Sequence, residues 1–285
     1  MKFGFMKNHR SEFRVEMMAV ALGVTRSTYY AWKKRGESNR SKENGRLLGR
    51  IRILHAGSHE IYGSRRITAA LRNEGQLCGK NRIARLMRQA SIVSRIRRKF
   101  KITTHSKHSF AKAGNLVRQN FSTDKPNRLW VSDITYIWTK EGWLYLAVIL
   151  DVFSRYVVGW SMSNRLHHSL VLQAFLKALR KRDVCPGLIF HSDQGVQYAC
   201  EAVKEQFQKH QIIQSMSGSG NCYDNALAES FFHSLKTEWV YFEKYQTKEQ
   251  ASLSVFEYIE SFYNRQRTHS NLGYLSPEKY EQINV

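Results

Sequence analysis

Leu129-Trp130-Val131-Ser132-Asp133-Ile134-Thr135-Tyr136-Ile137-Trp138 is crowded with β-branched and aromatic residues around a single acidic one. That composition predicts a strand. A carboxylate among apolar neighbours is costly to bury unless it is paired or employed. Thr139 to Gly142 reads as a turn, Trp143 to Asp151 as a second strand and Arg155 to Met162 as a third. Such close spacing implies an antiparallel meander. A helix over Leu166–Lys181 stops before Pro186-Gly187, followed by a short strand at Leu188–His191 and a helix over Ala199–His210. A strand at Ile212–Met216, a Ser/Gly loop at Ser217–Gly220 and a helix from an Asp224 cap to about Tyr241 complete the pattern. The order β-β-β-α-β-α-β-α predicts an α/β unit, a mixed five-stranded sheet flanked by helices.

Upstream the pattern is helical. Residues 11–35 read as two short helices around Gly23, with Thr25 capping the second. This is helix-turn-helix-like, and a plain helical hairpin reads equally well. Residues 41–57 form a basic helical stretch; Ser64 stands as a cap before a helix that Gly75 ends. Over residues 80–90, Ile83, Leu86, Met87 and Ala90 make an apolar stripe, and Arg82, Arg85 and Arg88 a second, basic one. A helix so divided can lie on a partner and face phosphate. Arg97, Arg98 and Lys99 add a dense basic patch. The expected organisation is a basic helical DNA-binding region at 1–100, a linker at 101–126, an α/β core at 127–241 and a helical tail at 242–285.

The chain carries a net charge of +22, and its distribution is uneven. Residues 1–120 hold 28 Lys and Arg against 6 Asp and Glu, whereas residues 121–285 hold 17 of each. The whole excess lies in the first part, which implies a polyanionic partner, most often nucleic acid, gripped by one region and processed by another. Cys78, Cys185, Cys200 and Cys222 form no C-x-x-C pair, which fits reduced thiols and an intracellular setting. The longest apolar run, Leu144–Leu150, is too short for a bilayer span, and no signal-peptide pattern opens the chain. The expectation is a cytoplasmic, nucleoid-associated protein without membrane contact.

Three acidic residues fall at informative places. Asp133 lies within the first strand, Asp193 follows the fourth in His191-Ser192-Asp193-Gln194-Gly195, and Glu229 sits on the last core helix. If the first and fourth strands are neighbours, Asp133 and Asp193 converge at one end of the sheet. Clustered carboxylates repel one another, and a hard divalent cation relieves that penalty. Two such ions suit phosphodiester cleavage and strand transfer. Glu229, His233 and Lys236 share one helix face; Leu227, Phe231 and Leu235 share another. Strand-end solvation for Asp193 and a plain surface charge for Glu229 are open alternatives. Asp151 reads as a turn former and Asp224 as a helix cap.

The motifs extend beyond the triad: W-x-x-D-I-T-Y at 130–136, L-D-x-x-S-R-x-x-V-G-W at 150–160, H-S-D-x-G-x-Q-Y at 191–198, D-N-A-x-x-E-S-F at 224–231 and Y-N-x-x-R-x-H-S-x-L-G-Y-x-S-P at 263–277, with 35 residues between Asp193 and Glu229. In these the chain resembles insertion-sequence transposases with a retroviral-integrase-type core, of the kind encoded by a second reading frame. The resemblance implies a ribonuclease-H-like fold, with Asp133, Asp193 and Glu229 as catalytic metal ligands for Mg²⁺ or Mn²⁺. It implies hydrolysis at the element's ends and attack by a 3′-hydroxyl on target DNA. Pairing two terminal inverted repeats implies at least a dimer on DNA. The first reading-frame product is an expected partner or fusion segment. Lys236 is expected to reach DNA beside the metals, and Arg267 to contribute some phosphate contact while Tyr263, Leu272 and Tyr274 pack the tail. A non-catalytic regulator that binds the ends, or a nuclease without strand transfer, are the alternatives.

Overall fold

A computed structural model describes residues 1–96, 113–218 and 222–285; Arg97, Arg98 and Lys99 lie outside them. Three short helices, α1 (Lys2–Asn8), α2 (Val15–Ala21) and α3 (Arg26–Lys34), form a small unit around buried Met6, Met18 and Tyr29. Gly23 turns the chain at φ 60°, and the Thr25 side chain accepts from the amide of Thr28. Helices α4 (Asn39–Gly57), α5 (Ser64–Asn73) and α6 (Lys80–Gln89) follow. Ser64 is the first helical residue rather than the cap; Gly63 holds that place, and the Ser64 carbonyl accepts from the Thr68 hydroxyl at 2.6 Å.

The sheet contains β1 (Leu129–Thr139), β2 (Gly142–Asp151), β3 (Val157–Ser163), β4 (Ile189–Ser192) and β5 (Ile213–Met216), in the order β3-β2-β1-β4-β5. The first three strands are antiparallel; β1 and β4, and β4 and β5, are parallel. Period-two alternation divides the faces. Trp130, Ala147 and Ile149 face a layer of α7 (His168–Lys181), α8 (Val196–Ala199) and α9 (Glu201–Lys209). Gly159 lets α7 close on β3: a Cβ there would stand 2.3 Å from the Ala174 carbonyl oxygen.

Leu129, Val131, Leu146, Val148 and Leu150 face the other way. There they meet α10 (Ala226–Glu238) and α11 (Lys248–Phe256), which continues as a π-helical stretch over Glu257–Tyr263. Leu47, Ile51, Ile67, Leu71 and Ile83 of α4–α6 belong to this same apolar cluster, whereas α1–α3 keep a cluster of their own. Hydrophobic burial therefore joins α4–α6 to the sheet unit, and the basic region does not form one body. Tyr62 fastens the join: its hydroxyl donates to the Gln266 carbonyl at 2.9 Å and accepts from the Thr268 amide at 2.8 Å.

The tail motif is a packing device. Asn264 pairs with the backbone of Val157 through both ends of its amide, at 2.9 and 3.2 Å. Ser276 caps α12 (Pro277–Asn284), with Pro277 in its first turn, where a missing N–H costs nothing. No helix of the described residues is long and apolar enough to cross a membrane.

Candidate active site

The parallel register of β1 and β4 ends on the pair Ser132↔Ser192. An aspartate follows each member of that pair: Asp133 stays within β1, opposite Val148 of β2, while Asp193 is the first residue beyond the carboxyl end of β4, so the two lie side by side where β4 stops. In open α/β sheets that end is where ligands bind. Alternation puts Asp133 on the Val131 face, the face that α10 covers. The Asp133 carboxylate accepts from the amide of Ile134 at 2.7 Å, and that of Asp193 from the amide of Gly195 at 3.0 Å. A Cβ at Gly195 would lie 2.9 Å from the same Asp193 oxygen, so the close approach requires glycine.

Burial raises the Asp133 pKa well above the carboxylate range; Asp193, and then Glu229, push the same way, while the Ile134 amide and Lys236 oppose them. Burial and these two aspartates likewise keep the Tyr198 phenol protonated; its oxygen lies 2.9 Å from the Ser132 hydroxyl. Glu229 stands open on α10, its pKa raised by partial burial. The Lys236 ammonium sits 4.9 Å from the centre of the Tyr136 ring, its pKa lowered by burial and supported by Asp133. The structure thus brings Asp133, Asp193, Glu229 and Lys236 into one electrostatic neighbourhood. It is not a closed cage: among the described residues no three His, Cys, Asp or Glu side chains stand in metal-holding geometry.

A layer behind the carboxylates holds α10 in place. Asn225 ends a 3₁₀ turn (Cys222–Asn225), and its amide donates to the Ser132 carbonyl at 3.2 Å, tying the helix start to β1. Buried His191 bridges the Ser215 hydroxyl at 2.9 Å and the Asp224 carbonyl at 2.8 Å. The Asp224 side chain does not cap α10; it accepts from the Asn115 amide group at 2.8 Å and the Gly218 amide at 2.9 Å, fastening two loops. Asp151 is a turn former, accepting from the amides of Asn127 and Phe153 at 2.7 and 3.0 Å. Burial pushes its pKa up to about 6.

The expected DNA-facing residues divide. Arg85 and Arg88 are exposed on α6. Arg82 is spent within the protein, on Glu43 at 3.0 Å and on Asn44 at 2.9 Å. Arg267 is a correction: it is 5% exposed, and its fork is committed to Glu238 at 2.6 and 2.7 Å and to the Ser234 hydroxyl at 3.0 Å. Buried opposite charge, rather than phosphate, satisfies it. Sequence reading missed Glu238 because an acidic residue one turn from a helix end looks like a surface charge. It passed over Arg66 and Arg155 because their motifs resemble turn chemistry.

Comparison with known proteins places these features among relatives. The family described as "Integrase core domain" matches residues 123–222 and, in a second form, 229–285. The family described as "HTH-like domain" matches residues 42–100, which hold α5, α6 and all but the first turn of α4, and exclude the hairpin at 11–35. The chain is 39% identical over its whole length, and the whole of the relative's, to the transposase InsF for insertion sequence IS3A of Escherichia coli (strain K12). It is 41% identical to the 31 kDa protein of insertion element IS600 of Shigella sonnei, covering 93% of this chain and 99% of that one. A simian T-cell lymphotropic virus intasome chain aligns at 15% identity and a TM-score of 0.48, over 81% of this chain and 74% of its own.

Proposed function

The chain belongs to the transposases of IS3-type insertion sequences, and from that premise we propose that it cleaves DNA at the element's ends and joins the freed 3′-hydroxyl to target DNA. The observation that carries the reading is the placement of Asp133 and Asp193 one residue beyond the shared β1–β4 register, two like charges crowded together in half-buried positions. Such a pair is stable in its ionised form only with a cation. The donor set is all carboxylate oxygen, which suits Mg²⁺ or Mn²⁺ held by Asp133, Asp193 and Glu229. When bound, these ions supply Lewis-acid polarisation of the phosphoryl oxygen and activation of the attacking hydroxyl.

The protein's own residues do the rest. Asn225 and the His191–Asp224 link fix the entry of α10, so that Glu229 and Lys236 are presented beside Asp133 and Asp193. Lys236, partly desolvated and aligned on Tyr136, holds a positive charge where a phosphate approaches. Arg85 and Arg88 on the helix-turn-helix-like region grip backbone phosphates without reading sequence. The enzyme acts on paired ends as at least a dimer, in the cytoplasm at the nucleoid, with the first reading-frame product as partner or fusion segment.

The test is a joining assay with labelled duplexes of the element's termini and Mg²⁺ or Mn²⁺. The wild-type chain makes nicked strands and longer, joined products. Asp133→Asn, Asp193→Asn and Glu229→Gln each lose both while retaining DNA binding. Nicks without longer products identify a nuclease; binding without nicks identifies a regulator. A variant that cuts normally removes its residue from the site.

A further inference from the structure

A cavity of about 370 Å³ lies against α10, lined among others by Arg66, Arg155, Arg267, Ser230, Ser234 and Asn271. Three guanidinium groups face this space. Two are balanced by Glu238, which lies 2.6 Å from Arg267 and 3.3 Å from Arg66. Arg155 differs. Among the described residues no carboxylate or hydrogen-bond acceptor engages its guanidinium. Burial lowers its pKa, opposed by the Tyr263 phenol. Its backbone is left-handed at φ 64°, in the turn where its amide donates to the Asp151 carbonyl at 2.8 Å. A side chain other than glycine in that conformation is strained, and such strain collects where a side chain must be aimed. His269, on the same wall, is held neutral down to about 2 by burial and by Arg267, Arg66 and Arg155.

A strained, partly desolvated cation with nothing to neutralise it is an incomplete arrangement. An anion completes it, and the position names the anion. Ser230 follows Glu229 directly, about 100° further round the helix, so the cavity lies on the face of α10 next to the one that bears Glu229. Guanidinium and hydroxyl donors together suit phosphate. We propose that this cavity is a phosphate subsite, with Arg155 as its main ligand, for a DNA strand engaged at Asp133 and Asp193. The subsite rests on the strand-transfer reading and adds to it a second anchor on the neighbouring face of the same helix.

The experiment measures binding of a terminal-sequence duplex in Ca²⁺ buffer across a range of KCl, alongside the joining assay and melting curves. Arg155→Gln weakens binding about tenfold and lowers the salt slope by about 0.9, the loss of one phosphate contact. Arg155→Lys restores the slope. The melting temperature of Arg155→Gln is equal to or above wild type, because a desolvated charge has been removed. Ser230→Asp, a change on exposed surface, weakens binding in the same direction. An unchanged slope in both Arg155→Gln and Ser230→Asp, with a wild type that still joins DNA, overturns the subsite alone. A drop in melting temperature with an unchanged slope marks Arg155 as structural and also overturns it. A wild type that binds with Arg155-dependent slope but never joins strands supports the subsite and overturns strand transfer.

Discussion

Helix α10 carries two glutamates in opposite electrostatic circumstances. Glu238, at its end, is buried and satisfied: Arg267 meets it with two bonds at 2.6 and 2.7 Å, and its pKa is lowered despite burial, held down by Arg267 and Arg66. Glu229, two and a half turns earlier, shares its surroundings with Asp133 and Asp193, and there Asp193 and Glu229 both make Asp133 harder to ionise. The first region is finished within the chain. The second crowds three carboxylates near the partly desolvated Lys236 ammonium, an excess of negative charge that folding alone does not favour. Satisfied charge marks architecture and frustrated charge marks the place where a ligand is awaited.

Asp133→Asn breaks the contrast most strongly. It removes one of the crowded charges, so activity falls by more than about a thousandfold while the fold becomes at least as resistant to denaturant. A variant that loses stability along with activity removes the distinction. Arg267→Ala acts the other way: it strands Glu238 in the interior and costs about 3–5 kcal/mol of stability. Denaturant titration checks it. If the loss is below about 1 kcal/mol and DNA binding falls instead, Arg267 serves the surface after all.

The same contrast explains what was readable in the sequence. Asp133, Asp193 and Glu229 could be placed from pattern on a strand, just after a strand and on a helix, but their convergence hung on the first and fourth strands being neighbours, a condition that the parallel pairing of β1 with β4 meets. The mixed sheet was legible for the same reason, since period-two alternation is a local signal. The satisfied region was not. Arg267 and Glu238 are 29 residues apart, and nothing in either neighbourhood announces the partner. The π-helical stretch over Glu257–Tyr263, which leads directly into Asn264, left no mark in the hydrophobic period. Nor did the sequence separate α1–α3 from α4–α6, because equal basicity hides which helices share an apolar core.

Gly195→Ala tests how tightly the frustrated side is set. The added Cβ meets the Asp193 carboxylate at 2.9 Å, so either the loop or the carboxylate shifts. Overpacking of this kind costs about 1–3 kcal/mol. The expectation is that it falls on strand joining, about tenfold or more, with little change in melting temperature. Equal losses in both measurements place the strain in the fold rather than in the site.

The smallest effect is an acid one, and it belongs to the satisfied side. His269 lies beside the Arg267 guanidinium at 3.2 Å, and burial with three nearby arginines lowers its pKa to about 2. An unfolded histidine binds a proton near pH 6.5. Between those values the unfolded chain holds the extra proton, so stability is full above pH 6.5 and declines as pH falls below it, by about 1.4 kcal/mol at pH 5.5. Buried His191, whose pKa is also lowered, adds in the same direction. Asp151 opposes both: its pKa is raised to about 6, so acid favours the folded form between that value and the ordinary carboxylate range. Total acid sensitivity therefore mixes opposite signs, and only a difference isolates His269. Denaturant midpoints of wild type and His269→Asn at pH 7.5 and 5.5 supply it. The wild type loses more on acidification than the variant by about 1.4 kcal/mol; parallel losses show that His269 carries a proton in the fold and that the arginine wall around it is neutralised by something else.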